Sequence, residues 1–311
     1  MLDDIAKYLG ISKSTVSRAI SGKGPVAEET KKRILEYTAE IGYFPNAAAR
    51  NLATTKTRNI AFAMPHDRYS ETLAFFIDCY FGVKKMAEES AYDVIIVDDA
   101  LEPINRIISS RKADGVILTR DNLCHAALEK LASSGIPIVL TSSIGSPAVI
   151  KVGYDEKSAY KNLTSHLIDL WQGRIGLIVS SEDDKASRHR ANGFMEAFAE
   201  KNQRDPHIIW DVTNAEDVDR ALRKMHANNI KNIICGDDTI CISAMNIIRY
   251  GRKINTNFNI ASFHNSHYLE SFYPEIPVVK LDARKLGETA GKVLINKIDG
   301  IPTQDLVLLD Y

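Results

Sequence analysis

The sequence is poor in cysteine and has no long apolar run. Its 311 residues include only four cysteines, which form no CxxC pair and each lie in an apolar segment: Cys79, Cys124, Cys235 and Cys241. We therefore expect buried free thiols in a reducing compartment. No apolar run approaches the roughly 18 residues that a membrane span requires, and the chain does not begin like a signal peptide. We expect a cytoplasmic protein without membrane contact.

Signatures of catalysis are also missing. No GxGxxG motif follows a predicted strand, and there is no GxxxxGK(S/T), GxSxG or HExxH motif. His264 and His267 have the spacing of half a metal site, but no further ligands accompany them. Three acidic pairs follow predicted strands and are expected to cap helices rather than form a catalytic dyad: Asp98-Asp99, Asp183-Asp184 and Asp237-Asp238. We predict a protein that is not an enzyme and needs no cofactor or metal.

The charge is unevenly distributed. The net charge is −1, but residues 1–58 hold ten Lys and Arg against six Asp and Glu, whereas the rest holds 29 against 34. A compact basic segment on an acidic body indicates contact with a polyanion at one end of the chain. The alternative is a basic face that is simply solvated.

Residues 2–41 have the apolar spacing of three short helices. Gly10 supplies the left-handed turn that ends the first helix near residue 9, and Ser12 is a good N-cap for a second helix over 13–20. A third helix is predicted over 28–41. The inward-facing positions are Ile5, Ala6, Leu9, Val16, Ala19, Ile20, Ile34, Leu35, Thr38 and Ile41.

The second helix carries polar side chains opposite its apolar face: Lys13, Ser14, Ser17 and Arg18. Two helices joined by a tight turn, the second with exposed hydrogen-bonding groups, form the helix-turn-helix arrangement of DNA-binding proteins. Arg18 can offer its guanidinium to a guanine edge, and Lys13 can reach a base or a phosphate. The alternative is an ordinary helical hairpin with a solvated face.

Residues 42–54 add a second signal for DNA. Gly42 ends the third helix, Pro45 blocks its continuation, and Asn46 can cap a new one. The alanine-rich segment 47–53 is too short to be a stable helix in water without packing, so it is expected to form with a partner. Leu52 is suited to wedge between base pairs in the minor groove. A frayed linker helix is the alternative.

The stretch DDIAKYLGISKSTVSRAISG, followed by GYFPNAAARNLAT, resembles the headpiece of the LacI/GalR family of bacterial transcription regulators. The resemblance runs from residue 2 to the end of the chain and is most specific in TVSRAI and PNAAARNLA. It implies groove-reading residues, backbone and support contacts, and a minor-groove wedge, which with Arg50 make up the predicted DNA-binding set: Ser12, Lys13, Ser14, Ser17, Arg18, Ser21, Tyr43, Asn46, Arg50, Leu52 and Ala53. Ala27 departs from the pattern, because a capping hydroxyl is usual before the third helix. Its absence costs about 1 kcal/mol of headpiece stability.

After Thr57, apolar strand-like runs alternate with helical segments, which indicates doubly wound parallel sheets covered on both faces. A break near 152–155 divides the series into two similar halves, and VVKL (278–281), a helix over 285–298 and LVLL (306–309) complete it. The resemblance implies a two-lobed, periplasmic-binding-protein-like core that the chain crosses near 152, 281 and 303. The predicted domains are a headpiece (1–45), a hinge helix and linker (46–57), and a core (58–311), with an N-lobe at about 58–152 and 282–302 and a C-lobe at about 153–281 and 303–311.

Ligands bind at the carboxyl ends of the strands in such sheets, so a crevice between the lobes is the expected effector site. Matching positions to the family gives Phe75, Phe76, Thr141, Arg190, Asp237, His264 and Asn265. For the two phenylalanines, simple core packing is the alternative. Sugar-binding members often have acidic or amide groups where Thr141, Gly236 and His264-Asn265 stand here. Arg190 and the histidines could instead accommodate an acidic or phosphorylated ligand.

Three functions are consistent with parts of this pattern. A ligand-responsive regulator accounts for the whole chain: a repressor of a sugar or carbohydrate operon, binding palindromic double-stranded operator DNA as a homodimer under control of a small-molecule effector. A solute-binding protein accounts only for the core and would need an export signal. A Rossmann-type enzyme accounts for the sheets but lacks a cofactor motif.

Overall fold

A computed structural model describes residues 2–21, 24–43, 56–65, 73–203, 205–251, 257–264 and 266–311. Contacts between residues divide the chain into two compact units, Met1–Thr57 and Arg58–Tyr311. Each unit has its own hydrophobic core. The two units are therefore described separately.

The first unit contains the three predicted helices, α1 (Leu2–Leu9), α2 (Lys13–Ser21) and α3 (Glu28–Glu40). Gly10 and Gly42 end the first and third helices with φ of +67° and +61°, in the left-handed region that favours glycine. The fully buried core residues are Ile5, Ala6, Val16, Ala19 and Ile34. As expected, Ala27 precedes α3 without a side-chain capping bond.

The predicted inner face of α3 needs a correction. Leu35 and Ile41 are 44% and 46% exposed, although both were expected in the core. Ile34 and Thr38 are buried on one face, and Tyr37 packs beside them, where its ring stacks on Tyr8 at a centroid distance of 4.1 Å. Because successive helical residues are rotated by about 100°, Leu35 cannot share the face that Ile34 and Thr38 occupy.

The second unit contains two parallel sheets. The strands of the first are β1 (Asn59–Met64), β2 (Asp93–Asp98), β3 (Gly115–Leu118), β4 (Ile138–Leu140), β5 (Ile150–Tyr154) and β10 (Leu306–Leu309). Their order is β10-β5-β4-β3-β1-β2. Residues alternate along β1, so that Ile60 and Phe62 join the core on one face while Ala61 and Ala63 join the core on the other. The central strands β1, β3 and β4 are buried on both faces, as the continuous apolar runs predicted. The edge strands β2 and β10 are partly exposed.

The second sheet is smaller. Its strands are β6 (Ile175–Ile178), β7 (His207–Ile209), β8 (Asn232–Cys235) and β9 (Asn259–Ser262), in the order β7-β6-β8-β9. All neighbouring strands pair in parallel. The α/β fold class with two doubly wound lobes is therefore confirmed.

The helices between the strands cover the sheet faces. Their bounds are α4 (Leu73–Glu89), α5 (Leu101–Ser109), α6 (His125–Ala132), α7 (Glu156–Leu170), α8 (Lys185–Glu200), α9 (Ala215–Ala227), α10 (Asp238–Tyr250), α11 (His267–Phe272) and α12 (Ala283–Ile298). Helices α4 and α12 pack in direct backbone contact, because a Cβ added at Gly82 or Gly287 would collide with the backbone carbonyl of Arg284 or Cys79. No helix among the described residues has the length and apolar character needed to cross a membrane.

The sheet topology corrects the predicted lobe boundaries. Strand β10 pairs in parallel with β5, with Leu306 opposite Lys151, so residues 306–309 belong to the first sheet and not to the second lobe. The expected boundary at residue 152 falls inside β5. The segment 278–281 is not a strand beyond a single bridge between Ser262 and Val278. Apolar character alone did not specify which edge each of these short segments would join.

The cysteine prediction is correct for three of the four residues. Cys79, Cys235 and Cys241 are buried free thiols, whereas Cys124 is exposed. Cys124 stands immediately before α6, at the N-cap position, where the chain turns at the surface. Its apolar neighbours predicted burial, but the turn places its side chain outside the core.

Candidate functional site

The first candidate site is the polar face of α2. Ser12 caps the helix: its Oγ accepts a hydrogen bond from the Thr15 N–H at 3.1 Å, as predicted. Lys13, Ser14, Ser17 and Arg18 are exposed, while Val16 and Ala19 on the opposite face are buried. The small side chains of Ser14 and Ser17 lie between the cations Lys13 and Arg18, so the backbone of another molecule can approach this face closely.

The two cations of this face have different surroundings. Lys13 Nζ donates to Asp3 Oδ2 at 2.8 Å, in a pair whose side chains are 59% and 71% exposed. Exposed pairs contribute little stability, so Lys13 can exchange Asp3 for a phosphate at small cost. The aliphatic part of Arg18 lies beside Gly24, where an added Cβ would stand 3.4 Å from Arg18 Cδ.

The other predicted DNA contacts are only partly described. Tyr43 is half-buried and packs against the headpiece core, which fits a supporting role. Ser21 is the last residue of α2. Asn46, Arg50, Leu52 and Ala53 lie outside the described residues, as does the hinge helix predicted for that segment.

The second candidate site is a crevice of about 340 Å³ in the second unit. It lies where strands of both sheets end, the position at which doubly wound sheets bind ligands. Six of the seven predicted effector residues line it, and the seventh, Asn265, lies outside the described residues. The lining residues are Phe75, Phe76, Thr119, Arg120, Asp121, Asn122, Thr141, Ser142, Ile144, Glu156, Ser180, Ser181, Asp184, Lys185, Ala186, Arg190, Thr213, Asp237 and His264.

A buried hydrogen-bond network surrounds Arg190 on α8. Arg190 Nη2 donates to His264 Nε2 at 3.1 Å, and the Tyr160 hydroxyl lies 3.0 Å from the same nitrogen. Tyr160 donates in turn to Glu156 Oε2 at 2.8 Å. Because Nε2 accepts from a guanidinium, the proton of the neutral His264 ring belongs on Nδ1. The network fixes the Arg190 guanidinium against one wall of the crevice.

The charges in this network follow from burial. Burial lowers the pKa of His264 well below its ordinary value, and the charge of Arg190 lowers it further, so the ring is neutral. Burial alone would lower the pKa of Arg190, but its acidic neighbours, Tyr160, Asp237 and Glu156, raise it, so the guanidinium stays charged. Burial raises the pKa of Asp237, while Arg190 and the Ile240 N–H act in the opposite direction.

The aromatic residues of the crevice have a mixed role. Phe76 is only 8% exposed and belongs largely to the core, as the alternative reading allowed. Phe75 is half-buried and meets the His264 ring edge to face at 5.5 Å. Phe75 therefore offers the crevice an apolar surface, and Phe76 supports it from behind.

The acidic pairs mainly accept hydrogen bonds from nearby backbone N–H groups. Asp184 caps α8 by accepting from the Ser187 N–H at 2.7 Å, and Asp237 caps α10 by accepting from the Ile240 N–H at 2.8 Å, both as predicted. Asp98 accepts from the Ala100 N–H at 2.9 Å, two residues on, and α5 begins without a side-chain cap. These carboxylates are thus committed to backbone groups.

His264 and His267, which have the spacing of half a metal site, line different cavities. His264 lines the crevice, whereas His267 lines a second cavity of about 390 Å³, to which Phe75 also contributes. Within the part of the chain that the structure describes, no group of three or more metal-ligating side chains converges.

Sequence reasoning missed the loop that follows β3, which contributes Thr119, Arg120, Asp121 and Asn122 to the crevice. Arg120 Nη2 and Asn122 Nδ2 bind Asp99 Oδ2 at 2.6 and 3.0 Å. A signal for this loop was present in the sequence, because it follows GVIL (115–118), one of the apolar strand-like runs, and the carboxyl ends of parallel strands meet at one edge of a sheet. Lys185, at the start of α8, was also missed; it donates to Asp121 Oδ2 at 2.9 Å.

Comparison with known proteins agrees with this division. Residues 1–46 match the model of bacterial regulatory proteins of the lacI family, and residues 60–306 match that of periplasmic binding proteins and the sugar binding domain of the LacI family. The HTH-type transcriptional repressor PurR of Aliivibrio salmonicida is 24% identical over 96% of this chain and 92% of its own length. Catabolite control protein A of Staphylococcus aureus is 26% identical, over 94% and 90%.

A solved structure shows the same fold. The Lac repressor dimer bound to operator and the anti-inducer ONPF has a TM-score of 0.82 at 19% identity, with 99% of this chain and 96% of that chain covered. Because the family model for the core matches well over half of the chain, the protein belongs to the LacI family of bacterial regulatory proteins.

Proposed function

We propose that this protein is a transcription repressor that binds operator DNA through its first unit and a small-molecule effector in the crevice of its second. The observation that carries the proposal is the presence in one chain of a basic three-helix unit with an exposed polar helix face and a separate enclosed polar crevice. The transcriptional repressor PurR and catabolite control protein A, both similar over nearly the whole chain, support it.

On DNA, the proposed roles follow the polarity of each side chain. The groove-reading residues face the base edges of the major groove: Ser12, Lys13, Ser14, Ser17 and Arg18. Ser21, Tyr43 and Asn46 make backbone and support contacts. Arg50, Leu52 and Ala53, outside the described residues, are assigned to the minor groove. A single short unit makes few contacts, so a homodimer on a roughly palindromic site is proposed, as in the Lac repressor dimer bound to operator.

In the crevice, Arg190 is the proposed anchor of the effector, with Thr141, Asp237, His264 and Phe75 around it. The effector acts by binding one arrangement of the two lobes more tightly than the other, which requires only a few kcal/mol of differential affinity. A carbohydrate or related metabolite operon is the proposed target. No catalytic role and no cofactor are proposed.

Selection from random DNA tests the proposal. The full chain should enrich a palindromic duplex, and its affinity for that duplex should fall steeply with salt, because phosphate contacts release counterions. Residues 58–311 alone, a compact unit in themselves, should fold but bind the duplex at least about a thousandfold more weakly, near the level of non-specific binding. Equal binding by the fragment, or a monomer both alone and on DNA in sedimentation, would contradict the proposal.

A further inference from the structure

The polar face of α2 has a carboxylate beside it that comes from another helix. Asp3 lies in the first turn of α1, and its Oδ2 accepts a hydrogen bond from Lys13 Nζ at 2.8 Å. Lys13 is the first residue of α2, whose first turn contains no acidic residue. A lone cation is unfavourable at the positive end of a helix dipole, so Asp3 supplies the compensating charge from the neighbouring helix.

The pair is open to another molecule, because the Asp3 side chain is 71% exposed and that of Lys13 is 59% exposed. Lys13 is flanked by the shorter Ser12 and Ser14, whose hydroxyls bond each other at 2.8 Å. An ammonium can donate more hydrogen bonds than the one to Asp3, and a carboxylate can accept several. A donor and an acceptor therefore stand side by side at the N-terminal end of α2, the end of such a helix that contacts base edges.

A phosphate group alone does not satisfy this pair. Lys13 can leave Asp3 for a phosphate at small cost, since an exposed pair contributes little stability. The Asp3 carboxylate would then face a polyanion without a cation beside it, and like charges repel. A partner that accepts from Lys13 and donates to Asp3 at the same time avoids this repulsion.

The major-groove edge of a G·C base pair offers this combination. Guanine presents the acceptors N7 and O6, and cytosine presents its N4 amino group, a donor, next to O6. A Watson–Crick hydrogen bond joins O6 to N4, so these atoms lie about 2.9 Å apart. This separation matches the 2.8 Å between Lys13 Nζ and Asp3 Oδ2. The ammonium can therefore donate to the guanine while the carboxylate accepts from the cytosine.

The other three base-pair edges fit this pair less well. A T·A pair also has an acceptor beside a donor, but the thymine methyl takes the place of guanine N7, so Lys13 loses an acceptor and meets an apolar group. C·G and A·T pairs reverse the order, which puts a donor against Lys13 and an acceptor against Asp3. Each reversed contact joins atoms of like partial charge and is repulsive.

We infer that Asp3 is a specificity-determining residue of the headpiece: with Lys13 it recognises one G·C base pair in each half-site, the carboxylate accepting a hydrogen bond from cytosine N4 while the ammonium donates to guanine. The inference rests on the proposed function, since it takes α2 as the helix in the major groove. The Asp3 carboxylate then lowers the affinity for DNA in general and raises the preference for one base pair.

Selection from random duplexes by the full chain and by its Asp3→Ala and Lys13→Ala variants tests the inference. The wild-type duplex should contain a G·C pair, at one position of each half-site, that both variants cease to prefer. In fluorescence anisotropy, changing this pair to A·T should weaken wild-type binding about five- to a hundredfold, as one mismatched base pair does. The same change should weaken binding by either variant less than about threefold, because the contact that discriminates is gone.

A modified base tests the contact between Asp3 and cytosine directly. N4-methylcytosine keeps Watson–Crick pairing but replaces the groove-facing amino proton with a methyl group, so Asp3 loses its donor. This base should weaken binding by the wild-type chain and leave binding by Asp3→Ala nearly unchanged. If Asp3 only positioned Lys13, the methyl group would have no effect on the wild type. The wild-type measurement needs no variant, so it decides the inference even if Asp3→Ala does not fold.

Two further comparisons separate a base contact from simple charge. Because Asp3 and Lys13 act on the same base pair, the double variant should relax the preference no further than either single variant, which independent contacts would not show. Asp3→Ala should also raise the affinity for random DNA, since a negative charge leaves the DNA-binding face. Glu36→Ala is the matched control, because it removes an exposed acid paired with Lys32 on α3 and should leave every base preference unchanged.

Four results would overturn the inference. Base preferences could survive in a folded Asp3→Ala variant, Asp3→Ala and Lys13→Ala could lose preference at different positions, or N4-methylcytosine could leave wild-type binding unchanged. Lys13→Ala could also weaken binding to all duplexes equally and lower its salt dependence, which would make Lys13 a phosphate contact. A wild-type chain that enriches no duplex refutes the proposed function and the inference with it, whereas any of the four results on an enriched duplex refutes the inference alone.

Discussion

The two units carry their candidate sites in different ways. In the first, the described groove-reading residues lie in one continuous stretch, Ser12–Arg18, which comprises the capping residue of α2 and the first turns of that helix. In the second, the crevice gathers side chains from Phe75 to His264 across both sheets. A site on one helix is specified by local spacing and could be read from the sequence. A site assembled from many strand ends depends on the topology of the sheets. Only part of such a site could be read from the sequence.

The strongest test of the local unit compares two neighbours on α3. Ile34 is fully buried in the small headpiece core, whereas Leu35 is 44% exposed. Ile34→Ala should destabilise the headpiece by about 2–5 kcal/mol, because it removes buried methyl groups and leaves a cavity. Leu35→Ala should change stability by less than about 0.5 kcal/mol. Thermal unfolding of each variant measures both, and DNA binding should be lost only in the first.

Equal losses for the two variants would mean that Leu35 is in the core after all, as the apolar spacing of α3 first suggested. The structure gives the reason to expect otherwise, since Thr38 and Tyr37 complete the inner face beside Ile34. The Leu35 side chain therefore lies at the surface.

Some features of the two sites could be predicted from the sequence, and others could not. The three helices, the cap at Ser12 and both glycine turns follow from short-range rules and were predicted. In the crevice, Arg190, Asp237 and His264 were found by family position and do line it. Asp121 and Lys185 were missed because their significance is their mutual contact, made between residues 64 apart in the sequence.

Strand β10 illustrates the same limit in the fold. Its sequence LVLL predicted a strand correctly, but only pairing with β5 decides which sheet receives it. Four apolar residues fit either sheet, so the choice depends on long-range packing. The exposed Cys124 is a similar case, because its burial depended on where the chain turns before α6.

A smaller effect is expected at the polar face of α2. Arg18→Ala should cost about 1–3 kcal/mol on the selected duplex and much less on random DNA, if the guanidinium contacts a base edge. Fluorescence anisotropy on both duplexes measures the difference. Lys32→Ala, which removes an exposed cation on α3, serves as the control for charge alone. An equal loss of affinity for both duplexes would mean that Arg18 contacts a phosphate and not a base edge.

The two units should also differ in their response to pH. None of the eight histidines lies in residues 1–57, whereas the buried His264 has its pKa held well below the ordinary 6.5 by burial and by Arg190. Below pH 6.5 the unfolded chain takes up a proton that folded His264 refuses. The free energy of unfolding of residues 58–311 should therefore fall as pH drops, by up to about 1.4 kcal/mol per pH unit from this group.

Chemical denaturation between pH 7.5 and 5.5 measures this slope. His264→Gln should flatten it, whereas the same change at His125, which is 58% exposed, should not. A slope that survives His264→Gln would assign the pH dependence to another group, such as His207, whose pKa burial also lowers.

The smallest expected effect is a gain. Ala27 leaves α3 without a side-chain cap, so Ala27→Ser should stabilise the headpiece by about 1 kcal/mol. Thermal unfolding measures the shift, and Ala39→Ser, inside the same helix, controls for the hydroxyl itself. If Ala27→Ser does not stabilise the headpiece, the first backbone N–H groups of α3 already have hydrogen-bond partners.

The central claim is that one chain couples the two kinds of site. The most direct measurement is the affinity of the full chain for its selected duplex, followed by anisotropy while the small molecule that binds the full chain most tightly is titrated. A family role as a ligand-responsive repressor predicts a change of about 5- to 150-fold that saturates with the affinity measured for the crevice, and that disappears in Arg190→Ala. An affinity for DNA that stays constant while the crevice fills would contradict the account.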